Sequence, residues 1–236
     1  MAKRAAYHHG DLRRVLLQAS LELIDEGGIA ALSLREVARK AGVSHNAPYH
    51  HFEDRGSLLA AIAEEGFADL AGEMARARAA APDARARLEA CGLAYVRFAL
   101  SSSSRFKVMF RPELAAPAEG ENLVRASSPA LETLTGAIVE AQQAGLAPPG
   151  DPAPLVLTSW SAVHGLASLW LDGPLARVHR MFGPTPEKLA AIVTSTLATL
   201  LIGATRSPGS APTTTAPPAA RPARAARARR SGRRGT

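Results

Sequence analysis

Residues 44–51, with the sequence SHNAPYHH, are dominated by hydrogen-bonding side chains. Asn46 carries an amide of the kind that bonds the adenine edge in a bidentate manner, and the Ala47 methyl or the Tyr49 ring can contact a thymine methyl. The histidines lack the His-Glu-x-x-His spacing of a helical zinc site. Side chains of these types, presented together on one short element, predict contacts to the edges of DNA bases.

Two short helices joined by a tight turn would position these side chains. Ser33, followed three residues later by Glu36, is the capping box that opens a helix, and the apolar stripe of that helix is Leu34, Val37, Ala38 and Ala41. Gly42 can adopt the positive φ that ends it, and Ser44 can cap a second helix from about His45 to Phe52. The residues left for packing there are Val43, Pro48 and Phe52. This arrangement is typical of a helix-turn-helix, whose second helix fits a DNA major groove.

The stretch GVSHNAPYHHFEDRGSLL resembles the DNA-binding domain of the TetR family of ligand-responsive transcriptional repressors, over roughly residues 9–70. The family's recognition helix ends in an aromatic-His-Phe signature. The resemblance implies that the residues facing base edges are His45, Asn46, Ala47 and Tyr49, and that His50 and His51 lie near phosphates. Pro48 departs from the family's commoner large apolar residue and deletes the bond that its N–H would make to the capping carbonyl.

Three further residues are candidate phosphate contacts on physical grounds. Ser33 and the free N–H groups at the start of its helix suit a phosphate, Arg35 lies close by, and Arg55 stands at the entry to the next helix. The alternative for each is an ordinary solvated side chain. The candidate DNA-binding residues are therefore Ser33, Arg35, Ser44, His45, Asn46, Ala47, Tyr49, His50, His51 and Arg55.

A second motif, WSAVHG, occupies residues 160–165. Trp160 and His164 are four residues apart and share a helix face, and Gly165 lets another backbone approach closely. The motif resembles the Trp-His-Gly motif of one C-terminal domain type among TetR-like regulators, which MFRPEL at residues 109–114 also fits, over roughly residues 85–200. One interpretation is that Phe110, Trp160 and His164 line a pocket for a small apolar or aromatic effector. The other is a satisfied core histidine beside a core tryptophan.

Charge is distributed unevenly along the 236 residues. The net charge is +7, but eight of the 28 basic residues and none of the 21 acidic ones lie after residue 203. The body is therefore close to neutral, and the tail, rich in Pro, Ala, Thr and Arg, is expected to be disordered. The only cysteine, Cys91, excludes an intramolecular disulfide and favours a buried thiol. The lack of a signal peptide or a bilayer-length apolar segment predicts a cytoplasmic protein without a membrane partner.

Helical periodicity recurs along the chain, without alternating strand patterns or hairpin turns. We expect an all-α, TetR-like fold of about nine helices, with a three-helix DNA-binding head and a larger helical effector-binding and dimerisation domain. The expected divisions are a flexible arm at 1–8, the helix-turn-helix domain at 9–56, a connecting helix at 57–80, the ligand-binding and dimerisation domain at 81–203, and a disordered tail at 204–236. Residues 112–128 are expected to form a loop, residues 129–146 a helix, and residues 172–184 a connection.

The last expected helix, within TPEKLAAIVTSTLATLLIG, is apolar around more of its circumference than a surface helix tolerates. Burial in a homodimer interface explains this, with Leu197 and Leu201 as candidate interface residues. Central core helices of a monomer are the alternative.

These features together predict a homodimeric transcriptional regulator, most simply a repressor released from a palindromic double-stranded DNA operator by its effector. A nucleoid-type protein that coats DNA through its basic tail is the principal alternative. An enzyme is disfavoured because the chain has no Gly-x-Ser-x-Gly elbow and no Gly-rich phosphate loop. No cofactor or metal is expected.

Overall fold

The computed structural model describes residues 9–111, 120–183 and 185–203. Over these ranges the chain forms nine α-helices, two 3₁₀ helices and no β-strand, which confirms the all-α prediction. The α-helices are α1 (His9–Gly27), α2 (Leu34–Lys40), α3 (Arg55–Ala80), α4 (Ala84–Ser101), α5 (Ser103–Met109), α6 (Gly120–Gln143), α7 (Ala153–Leu171), α8 (Pro174–Phe182) and α9 (Pro186–Gly203); the 3₁₀ helices are Ile29–Ala31 and Ala47–His50. The expected arm at 1–8 and tail at 204–236 lie outside the described residues.

Helices α1 and α2 pack together through an apolar core. Leu16 of α1 and Val37 of α2 have no exposed surface. The Ser33 hydroxyl accepts a hydrogen bond from the Glu36 N–H at 3.2 Å, so the predicted cap does begin α2. Gly42 has a φ of 68°, which ends the turn after α2 as the sequence predicts.

Helix α3 extends from the α1–α2 pair to the rest of the chain. Asp54 caps it by accepting from the Ser57 N–H at 2.8 Å, while the Ser57 hydroxyl accepts from the Asp54 N–H at 3.1 Å. Its 26 residues contact α4, α5 and α6 along one side. A single helix thus spans residues 55–80, where the sequence predicts the connecting helix.

Helix α4 lies at the centre of the larger part of the structure and contacts α3, α5, α6, α7 and α9. Gly92 permits the closest of these approaches. A Cβ built at this position would stand 2.8 Å from Thr194 Cγ2 of α9 and 3.3 Å from Val163 Cγ1 of α7. Any larger residue would therefore push α9 away from α4.

Two elements differ from their sequence-based prediction. Helix α6 begins at Gly120 and runs through Pro129, at which it was expected to start. An interior proline removes one backbone hydrogen bond, but the apolar face is continuous across it, and its buried residues include Leu123, Ala130 and Leu134. Helix α8 occupies much of the expected connection; Pro174 takes the first helical position, where its missing N–H is harmless.

Part of the loop expected at 112–128 is thus helical, and residues 112–119 lie outside the described ranges. None of the described helices combines the length and the apolarity needed to cross a bilayer.

Candidate nucleic-acid interface and ligand cavity

Residues 44–51 form a turn followed by the 3₁₀ helix Ala47–His50, so the predicted second helix from His45 to Phe52 is wrong. Pro48 is the physical reason, because it has no N–H to contribute to a regular helical ladder. Its carbonyl oxygen instead accepts bonds from the N–H groups of His51 and Phe52, both at 2.9 Å. Residues 47–50 are therefore wound more tightly than an α-helix, and the Pro48 carbonyl holds the two residues that follow them.

The capping role expected of Ser44 is also corrected. The Ala47 N–H donates to the Ser44 backbone carbonyl at 3.0 Å, and Asn46 occupies the N-cap position of the 3₁₀ helix. The Asn46 side chain makes no capping bond. Its amide therefore remains available to a partner outside the turn.

Buried anchors and exposed side chains alternate along this segment. Pro48 and Phe52 are buried, and the guanidinium of Arg13 lies 5.6 Å from the centroid of the Phe52 ring. Tyr49, between the two anchors, is 56% exposed. The other exposed side chains are Ser44, His45, Asn46 and His50, while Ala47 and His51 are half-buried. The residues with the chemistry for base contacts lie at the surface, held there by the two anchors.

The three candidate phosphate contacts have different surroundings. Ser33 caps α2, and Arg35 lies exposed in the first turn of the same helix. Arg55 is half-buried, and its guanidinium donates to the Ile29 carbonyl at 2.8 Å. This bond ties the start of α3 to the 3₁₀ helix Ile29–Ala31, so Arg55 has a part in the fold that the sequence did not predict.

A cavity of about 350 Å³ lies within the larger part of the structure, bounded by α3 to α7 and by α9. Phe110 and Trp160, two of the three predicted ligand residues, line it. His164, the third, is not part of the lining. Its ring lies behind those of Phe110 and Tyr95, with centroid distances of 4.6 and 6.3 Å.

A chain of hydrogen bonds joins the cavity wall to His164. The Trp160 Nε1–H donates to the Tyr95 hydroxyl oxygen at 3.4 Å, and that hydroxyl lies 2.8 Å from His164 Nδ1. His164 Nε2 is 3.4 Å from the Ser168 hydroxyl. Since the Tyr95 oxygen accepts from Trp160, its own proton is best donated to Nδ1, which assigns the proton of a neutral His164 to Nε2.

Burial keeps the titratable groups around the cavity uncharged. Removal from water lowers the pKa of His164 and raises that of the Tyr95 hydroxyl. It also raises the pKa of the Cys91 thiol to about 11, so this cavity-lining thiol is protonated at neutral pH. The wall is therefore electrically neutral and its polar groups are largely bonded to one another.

Helices α7 and α9 contact each other, and they carry four exposed large apolar side chains, Leu157, Leu169, Ile192 and Leu200, which we call the apolar strip. Gly165 lies between the two leucines of α7, and a Cβ added there would meet no other atom of the described chain within 4 Å. Leu197 and Leu201, the candidate interface residues, face inward instead: Leu197 lines the cavity and Leu201 is buried. Leu197 and Leu201 therefore pack within the chain, and the large apolar side chains that α9 exposes are Ile192 and Leu200.

Two family models match the chain. Residues 16–62 match the model described as "Bacterial regulatory proteins, tetR family", and residues 88–200 match "Tetracyclin repressor-like, C-terminal domain". The chain belongs to the TetR family of transcriptional regulators. The first TetR model covers segment 44–51, and the second covers α7 and α9, including the motif at 160–165.

Curated relatives match part of the chain. The chain is 43% identical over 82 residues to the "HTH-type transcriptional regulator BetI" of Burkholderia thailandensis, a match covering 34% of this chain and 42% of that protein. It is 34% identical over 64 residues to the "HTH-type transcriptional regulator AcrR" of Shigella flexneri. The chain thus matches less than half the length of these curated relatives.

Solved structures resemble the chain over a longer range. A protein with unknown function from Rhodococcus sp. RHA1 is 36% identical, with a TM-score of 0.72, and the match covers 84% of this chain and 100% of that one. The TetR family transcriptional regulator PfmR from Thermus thermophilus is 20% identical, with a TM-score of 0.63, over 78% of this chain and 96% of that one. PfmR therefore shows the TetR fold alone.

Tyr95 and Ser159 line this TetR-family cavity and were not among the predicted ligand residues. Tyr95 lies 69 residues from His164, so no local spacing connects them. Ser159 was detectable, because it interrupts the otherwise apolar buried stripe of α7, which consists of Val156, Ser159, Val163 and Ala167. A serine at a stripe position indicates a polar group directed at the interior.

Proposed function

We propose that the protein is a sequence-specific, DNA-binding transcriptional repressor that acts in the cytoplasm as a homodimer and leaves its operator when a small apolar or aromatic molecule occupies the cavity. The observation that carries the proposal is the exposed polar surface of segment 44–51 on buried anchors, in a chain of the TetR family. Asn46 and Tyr49 supply the amide and the ring that discriminate between base pairs. Arg35 and His50 are also exposed, and their side chains are suited to phosphates.

Dimerisation would bring two such segments to successive major grooves of a palindromic operator. The exposed strip of Leu157, Leu169, Ile192 and Leu200 supports this part of the proposal, because a partner's identical strip would cover it. Gly165 and the neighbouring exposed Ser161 would allow the two α7 helices to approach closely, since neither carries bulk there.

Helix α5 provides a physical link between the cavity and the DNA-contacting part. At its cavity end, Met109 and the following residue Phe110 line the cavity. At its other end, the Ser104 hydroxyl donates to the carboxylate of Asp25 in α1, and Arg105 pairs with Asp69 in α3. A molecule that displaces Phe110 would therefore shift α5 against α1.

The link gives effector release a thermodynamic basis. A ligand shifts a conformational equilibrium only by its difference in affinity for the two states. If the cavity is better formed when α5 and α1 are displaced, the effector favours that state and the two DNA-contacting segments lose the operator spacing. The same coupling requires that operator DNA weakens effector binding by an equal factor.

Selection of bound sequences from random double-stranded DNA tests the proposal with the full-length chain. We expect enrichment of one palindromic motif whose half-sites lie about one helical turn apart. The matched control is the Asn46→Ala, Tyr49→Ala double variant, which should retain the fold and lose the enrichment. Binding that stays equal for all sequences, and that the double variant preserves, would instead support the nucleoid-type protein whose affinity comes from the arginine-rich tail.

A further inference from the structure

The cavity offers a ligand no charge at all along its described walls. Its 21 described lining residues include no Asp, Glu, Lys, Arg or His. Cys91 and Tyr95, the two with a titratable proton, keep it at neutral pH, and burial raises the pKa of each further above its ordinary value. An ionic ligand would lose its hydration here without gaining a partner of opposite charge, which is strongly unfavourable.

The Ser159 hydroxyl in the cavity lining lacks the hydrogen bond to a helix carbonyl that the other lining hydroxyls of Ser127 and Thr194 make. Ser127 and Thr194 also line the cavity, and each donates to a carbonyl of its own helix, at 2.8 Å to Val124 and 2.9 Å to Ala190. Ser159 is 3% exposed, and its Oγ has no hydrogen-bond partner. Buried hydroxyls are normally hydrogen-bonded, so a hydroxyl without a partner in the protein indicates a group that can bond to a ligand in the cavity.

The remaining polar groups of the wall are already engaged. The Trp160 N–H is directed at the Tyr95 oxygen, and the Tyr95 proton is directed at His164 Nδ1. A ligand acceptor would have to break this chain to use either donor. Ser159, one residue before Trp160, can donate without disturbing anything.

We infer that the cavity binds an uncharged, predominantly hydrocarbon molecule with a single hydrogen-bond acceptor, such as a hydroxyl, ester or ketone oxygen, which accepts a hydrogen bond from the Ser159 hydroxyl. This inference rests on the proposed function and specifies the class of effector. The cavity volume of about 350 Å³ is near the lower end for small-molecule sites, which points to a compact or medium-chain molecule. The rings of Phe67, Phe110 and Trp160 would contact its hydrocarbon part.

Three probes with the same chain and different head groups test the charge requirement: 1-decanol, decanoate and decyltrimethylammonium. The quaternary ammonium is included because aromatic rings attract such cations. The full-length chain with Trp170→Phe retains Trp160 as its one tryptophan, so the emission of Trp160 reports occupancy directly. Decanol should bind at least tenfold more tightly than either ion; equal or tighter binding of an ion, or no binding of decanol, overturns the inference.

Ser159→Ala tests the hydrogen bond, with Ser128→Ala as its matched control, because the Ser128 hydroxyl donates to the Val124 carbonyl at 3.2 Å and does not line the cavity. Ser159→Ala should weaken decanol binding about tenfold, the effect of one lost hydrogen bond, while Ser128→Ala leaves it unchanged. Without a ligand, Ser159→Ala should keep or raise the melting temperature, since it removes an unpaired buried hydroxyl. Unchanged decanol affinity in Ser159→Ala, or a lower melting temperature than in Ser128→Ala, would show that Ser159 bonds within the protein and would overturn its assignment.

DNA binding measured in the same samples separates this inference from the proposed function. Decanol that binds with the expected preferences but leaves selected operator DNA bound would support the ligand class and contradict effector release. Release of the operator by an ion that outcompetes decanol would support effector release and contradict the ligand class.

Discussion

Tyr49 projects into solvent between two buried residues, Pro48 and Phe52, so its ring has little part in the fold. Replacing it with alanine should weaken operator binding by about 1–3 kcal/mol, because the ring and hydroxyl would otherwise contact a base edge. Tyr49→Phe, the matched control, keeps the ring and separates its contribution from that of the hydroxyl. Affinities are measured on the selected operator by titration. A large fall in melting temperature with Tyr49→Ala would reveal a packing role instead.

His164 gives stability a specific pH dependence. Burial lowers its pKa in the folded state below the ordinary value of 6.5, while the unfolded chain takes up a proton near that value. Below pH 6.5 the unfolded state therefore binds more protons at this site, and the free energy of unfolding falls as pH falls. Protonation at Nδ1 would also remove the acceptor of the Tyr95 hydroxyl.

His164→Gln should therefore flatten the fall in stability between about pH 6.5 and the lowered folded-state pKa of His164. The other histidines are common to both proteins, so the difference between the two curves isolates His164. Denaturant unfolding at a series of pH values measures it. Parallel curves through this range would mean that His164 takes up its proton equally in the folded and unfolded states.

For single residues, the sequence predicts a side chain's surroundings where these depend only on residues close to it in the chain. The polar side chains of Asn46 and Tyr49 predicted their exposure, although the helix expected to carry them is a turn followed by a 3₁₀ helix. The arrangement of Tyr95 against His164 depends on how α4 packs on α7, and nothing in either helix alone encodes it. Predicted roles for side chains in DNA contact remain predictions until a complex tests them.

Among the elements, the contact of α5 with α3 is the tightest link in the proposed coupling. A Cβ built on Gly66 of α3 would stand 2.5 Å from Met109 Sδ and 2.8 Å from Arg105 Cγ. Gly66→Ala should therefore destabilise the fold by about 1–3 kcal/mol through overpacking and should alter the response to effector.

Gly72→Ala on the same helix is the matched control. Its added Cβ would meet only the end of the flexible Arg76 side chain, at 3.2 Å from Nη1. This change should stabilise the protein by roughly 0.5–1 kcal/mol, because alanine is the better helix former. Chemical denaturation measures the free energy of unfolding of both variants. Equal changes in the two would show that α5 moves aside at Gly66 without cost.

Elements whose ends carry local signals were predicted well, and those set by tertiary packing were not. The cap at Ser33 places the start of α2 correctly, since capping involves only three or four consecutive residues. The cap at Asp54 was not predicted, and α3 begins two residues before the expected start of the connecting helix. Helix α6 passes through Pro129 because burial on both sides of the proline compensates for the lost bond. In segment 44–51, by contrast, Pro48 prevents a regular α-helix, because this short segment has no long apolar face whose burial could compensate for the lost hydrogen bond.

For the whole molecule, the neighbouring residues Leu200 and Leu201 offer a paired test of the dimer. Leu200 is 66% exposed on the apolar strip, whereas Leu201 is 8% exposed and faces the core. Leu200→Arg should give a folded monomer that no longer binds the operator. Leu201→Arg should unfold the chain, because an unpaired charge would be buried.

Sedimentation equilibrium and circular dichroism distinguish these outcomes. Val124→Arg serves as a control for mass, since Val124 is 70% exposed but lies on α6, which carries none of the four residues of the strip. If Leu200→Arg retains the mass of the unmodified dimer while Val124→Arg lowers it, the interface lies elsewhere.

The arginine-rich tail accounts for the positive net charge of the whole chain, since it contributes eight arginines and no acidic residue after residue 203. If the tail binds DNA, deleting residues 206–236 should weaken binding to random duplex and reduce the salt slope by roughly 0.9 for each phosphate that the tail neutralises. The preferred sequence and the melting temperature should stay the same. Identical salt slopes for the two proteins would leave the tail without a role on DNA.

The alternation within segment 44–51 also bears on how such a protein can change its target. Pro48 and Phe52 hold the turn in place, while His45, Asn46, Tyr49 and His50 contribute little to the packing. Substitutions at these four surface positions should alter stability by no more than about 0.5 kcal/mol. Recognition can therefore diverge after gene duplication without passing through unstable intermediates, and a library randomised at these positions should yield folded proteins with new DNA preferences.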